Sequence, residues 1–316
     1  MQQLPDYSLS VVIPVYNSDQ TLPELTKCLD PVLLSLTSCY ELILVNDGSR
    51  DRSWEVICDL ARSYPWVRGI NLMRNYGQHN ALLCGIRAAN YEIIVTMDDD
   101  LQNPPQEILK LISKLSDGFD VVYGCPEKEQ HGIFRDAASR ITKIVLQDAM
   151  GIETARYVNA FRAFRSEVRQ AFKDYQSPYV SIDVLLSWGT MRFAAVPVIH
   201  RPRIHGTSGY TFRKLITHAV NMMTGFSTLP LQIASLVGFA FTLFGGGILT
   251  YVMLRYFYEG SSVAGFPFLA SIIAIFSGSQ MFAIGVIGEY LARMHVRSMG
   301  RPYCSIRETT AHAKQD

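Results

Sequence analysis

Most of the compact signatures that mark a cofactor site are missing from this chain. Its six cysteines (Cys28, Cys39, Cys58, Cys84, Cys125 and Cys304) show neither CxxC spacing nor a paired pattern. That excludes a zinc ribbon and a disulfide framework and fits reduced thiols. The seven histidines are scattered, with no HExxH or comparable ligand pattern. Neither GxGxxG nor GxxxxGK followed by Ser or Thr occurs, so any phosphate is held without a dinucleotide fingerprint or a P-loop. Net charge is only +1, which leaves no electrostatic footprint for nucleic acid. Residues Met1 to Ser10 lack a basic region followed by a long apolar stretch, so no signal peptide is expected there.

Charge is also absent locally. No Asp, Glu, Lys, Arg or His occurs from Ala219 to Leu254, nor from Gly260 to Gly288. Each run exceeds the roughly 20 apolar residues that cross a bilayer as a helix. The 48% hydrophobic content and mean hydropathy of +0.11 are concentrated in these runs. Two transmembrane helices are expected, over residues 229–258 and 264–291. Arg201, Arg203, Arg213 and Lys214 precede the first, and Arg293, Arg297, Arg301 and Arg307 follow the second. The short link from Arg255 to Gly265 holds one Arg and one Glu, so both outer flanks are expected in the cytoplasm of a multi-pass plasma-membrane protein. Phe212, Leu215, Ile216, Ala219, Val220 and Met223 form an apolar stripe, which predicts an interfacial amphipathic helix over 211–228 or a helix packed on the domain core. The remainder divides into a cytosolic domain, 1–210, and a polar tail, 292–316. Gly245, Gly278, Gly285 and Gly288 allow close helix packing and point to a homo-oligomer.

Within the cytosolic domain, strand-like and helix-like pieces alternate. Leu9–Pro14, Glu41–Val45, Val67–Leu72 and Glu92–Met97 are short apolar runs, separated by helical spacing over 22–36, 53–64 and 80–89. A helix over 105–115 and an extended piece over 120–123 follow. This pattern predicts an α/β fold with a mostly parallel sheet and helices on both faces. Ligands of such sheets collect at the carboxyl ends of the strands. Asn46-Asp47-Gly48 follows the second run, and Asp98-Asp99-Asp100 follows the fourth. Three adjacent carboxylates repel one another unless a cation neutralises them, and hard oxygen ligands suit Mg²⁺ or Mn²⁺. Taken alone, the triplet reads equally well as a solvated acidic loop.

Three segments decide between these readings. Val12-Ile13-Pro14-Val15-Tyr16-Asn17, Val45-Asn46-Asp47-Gly48-Ser49-Arg50-Asp51 and Met97-Asp98-Asp99-Asp100-Leu101-Gln102-Asn103-Pro104-Pro105 resemble the motifs of family 2 glycosyltransferases of the GT-A, Rossmann-like fold. Gly288-Glu289-Tyr290-Leu291-Ala292-Arg293 and Arg301-Pro302-Tyr303 look like the closing signature of its polyisoprenyl-phosphate branch, which includes bactoprenol glucosyltransferases, aminoarabinose-type transferases and relatives of dolichol-phosphate mannose synthase. The resemblance implies inverting transfer of a sugar from a nucleotide sugar to polyprenyl (undecaprenyl) phosphate, with UDP-glucose as the leading donor. Transfer of an aminoarabinose, mannose or a hexosamine is the alternative. It implies that Pro14, Tyr16, Asn17, Asp47, Arg74, Gln78, Asp98 and Asp99 hold the nucleotide, and that Asp98 and Asp100 bind Mg²⁺ or Mn²⁺. Ser18 stands where many members carry Glu, and Ala160 where many carry Asp. A processive polysaccharide synthase is a second reading, although no QxxRW-type motif is present; an inactive membrane scaffold is a third.

The chemistry sets the remaining candidates. A phosphate monoester has a second pKa near ~6, so the acceptor arrives as its own nucleophile and needs no obligatory base. Asp183 is the best base candidate, or else a capping or salt-bridged carboxylate. Cationic forks suit the acceptor phosphate, which nominates Arg135, Arg140, Arg162, Arg201 and Arg203, together with Ser208 of the Arg203–Tyr210 motif. Arg203 is also placed with the catalytic residues by that motif. The expected partners are thus a nucleotide sugar, a polyprenyl phosphate and the bilayer.

Overall fold

Four apolar runs become the four central strands: β1 (Ser8–Val15), β2 (Cys39–Asn46), β3 (Val67–Leu72) and β4 (Ile93–Thr96). The computed structural model describes residues 7–126, 150, 157–201, 228–259 and 266–310. Arg135, Arg140, Arg203, Ser208 and positions 211–227 of the expected amphipathic helix lie outside these residues. The four strands pair in parallel in the order β3-β2-β1-β4. Their side chains alternate between two covered faces, which is why the runs are largely apolar. Leu9, Val11, Ile13 and Val15 of β1 enter one core with Leu25, Leu29 and Leu33 of α1 (Leu22–Leu36) and Ile57 of α2 (Ser53–Ser63). On the other face α3 (Gln78–Ala88) lies against β1 and β2.

The sheet continues beyond β4 with β6 (Arg162–Arg165), β5 (Val121–Pro126) and β7 (Phe193–Val198). β6 runs antiparallel to both β4 and β5, whereas β5 and β7 are parallel to each other. The expected helix over 105–115 is a 3₁₀ turn, Pro105–Glu107, leading into α4 (Ile108–Ser116). A 3₁₀ helix, Ser166–Phe172, and a short α5 (Ile182–Ser187) complete the described helices of this part. The chain builds β2 and β3 on one side of β1 and then crosses to the other side for β4. The switch point therefore falls between β1 and β4, where open α/β sheets bind ligands.

The polar tail expected over 292–316 is structured in part. Ile306–Thr309 forms β8, antiparallel to β3. Met73 N–H donates to Ser305 O at 2.9 Å, and Thr310 N–H donates to Gly69 O at 3.0 Å. Without β8, strand β3 would present an unpaired row of backbone donors and acceptors at the sheet edge. The chain accordingly forms two compact units, Met1–Thr217 with Gly300–Asp316, and His218–Met299.

The second unit contains α6 (Leu229–Glu259) and α7 (Phe266–Ser298). Residues Pro230–Arg255 of α6 are long and apolar enough to cross a membrane; among the described residues this is the one stretch that meets both conditions. α7 is of similar length and uncharged from Phe266 to Gly288. The helices meet where the rings of Phe241 and Phe276 pack edge to face at 5.6 Å. Gly245 permits this approach, because a Cβ there would lie 2.8 Å from the Phe276 ring. Glu289 pairs with Arg293 at 2.9 Å, the i,i+4 pairing read from the sequence.

In the first unit, a Cβ on Gly85 of α3 would lie 2.4 Å from Val12 Cγ1 and 2.9 Å from Val45 Cγ2. Both are stiff β-branched side chains in central strands, so neither yields cheaply. Gly85→Ala is expected to lose about 1–3 kcal/mol despite the better helix propensity of Ala. A thermal melt of the purified variant checks this, and a midpoint equal to or above wild type would refute the tight packing.

Candidate active site

The carboxyl ends of β1, β2 and β4 and the loop entering α3 surround an open cavity of about 260 Å³. Pro14 and Val15 come from β1 and Tyr16 directly follows it, Asp47 directly follows β2, and Asn75, Gly77 and Gln78 come from the loop before and the first turn of α3. Asp98, Asp99 and Asp100 close the rim after β4. The switch point thus holds seven of the expected site residues: Pro14, Tyr16, Asp47, Gln78, Asp98, Asp99 and Asp100.

Asp47 organises this rim. Its side chain is buried, and it accepts Tyr76 N–H at 2.7 Å and Gly77 N–H at 2.9 Å. Burial pushes its carboxyl pKa up; the two amides pull it back in part. The neighbouring Gly48 has φ +66°, and a Cβ there would come within 2.5 Å of Arg74 C and Asn75 N. Only glycine meets both demands, so the 47–48 turn and the 74–77 loop interlock. Gly77, at φ +97°, supplies the second left-handed residue and delivers Gln78 to the cavity.

The carboxylate triplet is divided by its hydrogen bonds. Asp98 Oδ1 accepts Gln78 Nε2–H at 2.6 Å, which ties β4 to α3. Asp99 Oδ2 accepts Tyr16 N–H at 3.4 Å, toward β1. Burial raises the pKa of Asp99, with the Ser18 hydroxyl and the Tyr16 amide opposing and the Asp100 charge adding to the rise. Asp100 Oδ1 accepts Gln102 N–H at 3.2 Å within its own turn. Leu101 follows at φ +59°, a conformation that a bulky side chain rarely adopts and that concentrates strain beside the carboxylates.

Other expected residues stand around the cavity without lining it. Asn17, at φ +55°, donates its N–H to Ser49 Oγ at 3.0 Å and accepts Arg50 N–H on Oδ1 at 2.8 Å. It thereby closes the loop after β1 onto the loop after β2. The Arg74 guanidinium stacks over the Tyr76 ring at 4.5 Å. Arg201 N–H donates to Gln102 O at 2.8 Å, and Gln102 Nε2–H donates to Arg201 O at 3.3 Å. These bonds hold exposed Arg201 next to the turn that carries Asp100. Gln102 was recognisable only as a member of the motif; its bridging role depends on a residue 99 positions away.

Arg162 has a different place from the expected one, and Asp183 takes its salt-bridged alternative rather than the place of a base. Arg162 is 1% exposed and forms a salt bridge with buried Asp183, donates to Thr96 Oγ1 at 3.0 Å, and so does not face the cavity as a phosphate ligand. Asp183 is spent in the same network rather than placed as a base: it accepts from Arg162 and also from Tyr123 O–H at 3.0 Å. Burial and the Asp183 charge push the Tyr123 hydroxyl pKa well up, so it remains a donor. Two ions leave water together only if they pair, and β6 and α5 bring this pair into contact. Tyr123 and Thr96 gave no sign of this role, because their partners are distant in sequence. Asp183→Ala is expected to cost about 3–5 kcal/mol by stranding a buried guanidinium, and adding Arg162→Met should restore a large part of it. Chemical denaturation of the single and double variants checks this; a double variant no more stable than the single would overturn the pairing.

The site geometry agrees with three comparisons. The model of the family described as Glycosyl transferase family 2 matches residues 10–172, which include every cavity residue named above. An undecaprenyl-phosphate 4-deoxy-4-formamido-L-arabinose transferase of Pseudomonas aeruginosa is 34% identical over 305 residues, covering 96% of this chain and 90% of that protein. The enzyme of the same name from Klebsiella pneumoniae is 34% identical over 301 residues, covering 94% and 92%. A crystal structure of glucosyl-3-phosphoglycerate synthase from Mycobacterium tuberculosis, in complex with Mn²⁺ and UDP-glucose, is similar in fold at a TM-score of 0.50 and 18% identity, covering 69% of this chain and 77% of that one. With its GT-A-like sheet and with relatives aligned along almost its whole length, the chain belongs to glycosyltransferase family 2 and is a glycosyltransferase.

Proposed function

We propose that this protein transfers a sugar from a nucleotide sugar to the phosphate of a polyprenol, and that the sugar is a 4-deoxy-4-formamido-L-arabinose-type pentose. The observation that carries the reading is the placement of the run Arg74-Asn75-Tyr76-Gly77-Gln78-His79. It resembles the aminoarabinose-type branch, and its Asn75, Gly77 and Gln78 line the cavity between Asp47 and Asp98. Near full-length similarity to transferases named for that sugar supports it. The expectation of glucose from UDP-glucose gives way to this alternative, since the curated relatives named above carry the pentose name. UDP remains the proposed nucleotide.

The donor set suits a divalent ion. Asp98, Asp99 and Asp100 line one cavity, and Asp99 also accepts the Tyr16 amide. Among the described residues no three His, Cys, Asp or Glu side chains converge, but Mg²⁺ needs only one or two carboxylates when substrate phosphates complete its shell. Asp98 and Asp100 are the residues that would hold Mg²⁺ or Mn²⁺, which when bound offsets charge on the departing diphosphate. Gln78 orients Asp98, and the turn at Leu101 fixes Asp100. Withdrawal of Asp183 into an ion pair fits an acceptor that is already an anion and attacks with inversion. Arg201, beside the Asp100 turn, is assigned to the acceptor phosphate with Arg135, Arg140, Arg203 and Ser208; Arg203 keeps its catalytic assignment from the motif. The lipid acceptor, the apolar α6 and the uncharged stretch of α7 support a two-span plasma-membrane protein with its catalytic domain in the cytoplasm. Gly246, Gly247, Gly278 and Gly285 face open space, which leaves room for a second copy in a homo-oligomer.

Detergent-solubilised protein with Mn²⁺, undecaprenyl phosphate and labelled nucleotide sugar should yield labelled lipid. The formamido-arabinose nucleotide should raise the melting temperature more than UDP-glucose does, since ligand binding to the folded state shifts unfolding. A larger shift with UDP-glucose would reverse the sugar assignment. Asp98→Ala and Asp100→Ala should each lower turnover by about 100-fold or more while leaving the melt of the unliganded protein near wild type. Undiminished turnover in either variant would sink its assignment to the metal.

A further inference from the structure

Three polar side chains stand in register across the far side of the sheet. Asn46 on β2 is opposite Asn71 on β3, and Asn71 is opposite Glu308 on β8. Asn46 and Asn71 are 3% and 6% exposed, so their amide groups must be satisfied internally. Asn71 Nδ2–H donates to Glu308 Oε1 at 2.9 Å, and Asn46 Nδ2–H donates to Asn71 Oδ1 at 2.8 Å. Ser49 N–H then donates to Asn46 Oδ1 at 3.3 Å.

The ends of this row are chemically one-sided. A carboxylate only accepts hydrogen bonds, and a backbone N–H only donates. Asn71 therefore turns its NH₂ toward Glu308, which aims its oxygen at Asn46. Asn46 in turn gives its NH₂ to Asn71 and its oxygen to Ser49. Flipping either amide sets donor against donor or acceptor against acceptor somewhere along the row. The Glu308 carboxylate at one end and the Ser49 N–H at the other thus require the same direction for every bond in it.

The row ends where the site begins. Ser49 Oγ accepts the N–H of Asn17, the residue after Tyr16 of the cavity wall, and Asn46 directly precedes Asp47. We propose that Glu308, Asn71 and Asn46 are positioning residues for the donor nucleotide: the C-terminal strand polarises an amide relay that holds the Asn17–Ser49 turn in its binding geometry. The proposal rests on the nucleotide-sugar reading given above and adds to it a set of residues that do not line the cavity.

The test compares full-length wild type, Glu308→Gln, Glu308→Ala and Asn71→Asp in detergent with Mn²⁺. UDP and GDP affinity is measured by calorimetry, and backbone hydrogen exchange is followed over residues 46–50. Glu308→Gln retains an acceptor oxygen and should bind the nucleotide within about twofold of wild type. Glu308→Ala removes the acceptor, and Asn71→Asp sets two carboxylates face to face. Each should weaken nucleotide binding about fivefold, raise the donor KM with little change in kcat, and speed exchange at Ser49 by a similar factor. Asn71→Asp is nearly isosteric and keeps the test decisive if Glu308→Ala folds poorly. Wild-type affinity and exchange in both damaging variants would overturn the relay. So would equal losses in Glu308→Gln and Glu308→Ala, which would indicate simple edge-strand support. Wild-type protein that binds neither UDP nor GDP would overturn the nucleotide-sugar reading and the relay with it, an outcome distinct from the other two.

Discussion

The buried carboxylate of Asp47, gripping the amides of Tyr76 and Gly77, is the contact on which the rest of the site depends. A carboxylate taken out of water is tolerated only where donors replace its hydration, and two backbone N–H groups do so here. In return they lock an irregular loop between β3 and α3 against the end of β2. Gly48 has to be glycine because that loop passes over it. Gln78 reaches Asp98 only because Gly77 turns the chain left-handed immediately before α3. The position of one metal-ligand candidate is therefore inherited, through two hydrogen bonds and a helix start, from a carboxylate on a different strand.

Around this contact the protein separates its charges by function. Asp98, Asp99 and Asp100 are adjacent in sequence yet bond in three directions, toward α3, toward β1 and into their own turn. That division lowers the cost of crowding like charges, although all three line the cavity. The Arg162–Asp183 pair follows the opposite logic. It is sealed between β4, β6 and α5, where it serves packing and specificity of the fold rather than the acceptor. A glycosyltransferase whose acceptor carries its own anion can spend its buried aspartate in this way.

The strand ends were legible because parallel strands buried on both faces leave long apolar runs that stop abruptly at polar residues. Leu9–Pro14 and Glu92–Met97 show this, and β1 and β4 fall on them. β7 and β8 were not legible. β7 is apolar but carries Pro197, which argues against a strand, and β8 is the exposed run Ile306-Arg307-Glu308-Thr309, which lacks an apolar period. They exist because a neighbouring strand offers them unpaired backbone groups, a condition that no local window records. Glu308 read as part of a polar tail for the same reason.

Run length and alternation were enough for an α/β fold with its chemistry at the strand ends, and the resemblance of three motifs implied a glycosyltransferase, because these are local properties that survive in one dimension. The side chains' partners were not local. Arg162 was a candidate for the acceptor phosphate until β6 and α5 brought Asp183 to it across 21 positions. Asn71 and Glu308 met across 237 positions, and only the pairing of β3 with β8 gave either a purpose. Which groups face the cavity and which are consumed in holding it open depends on contacts between distant segments, and those exist only once the sheet has formed.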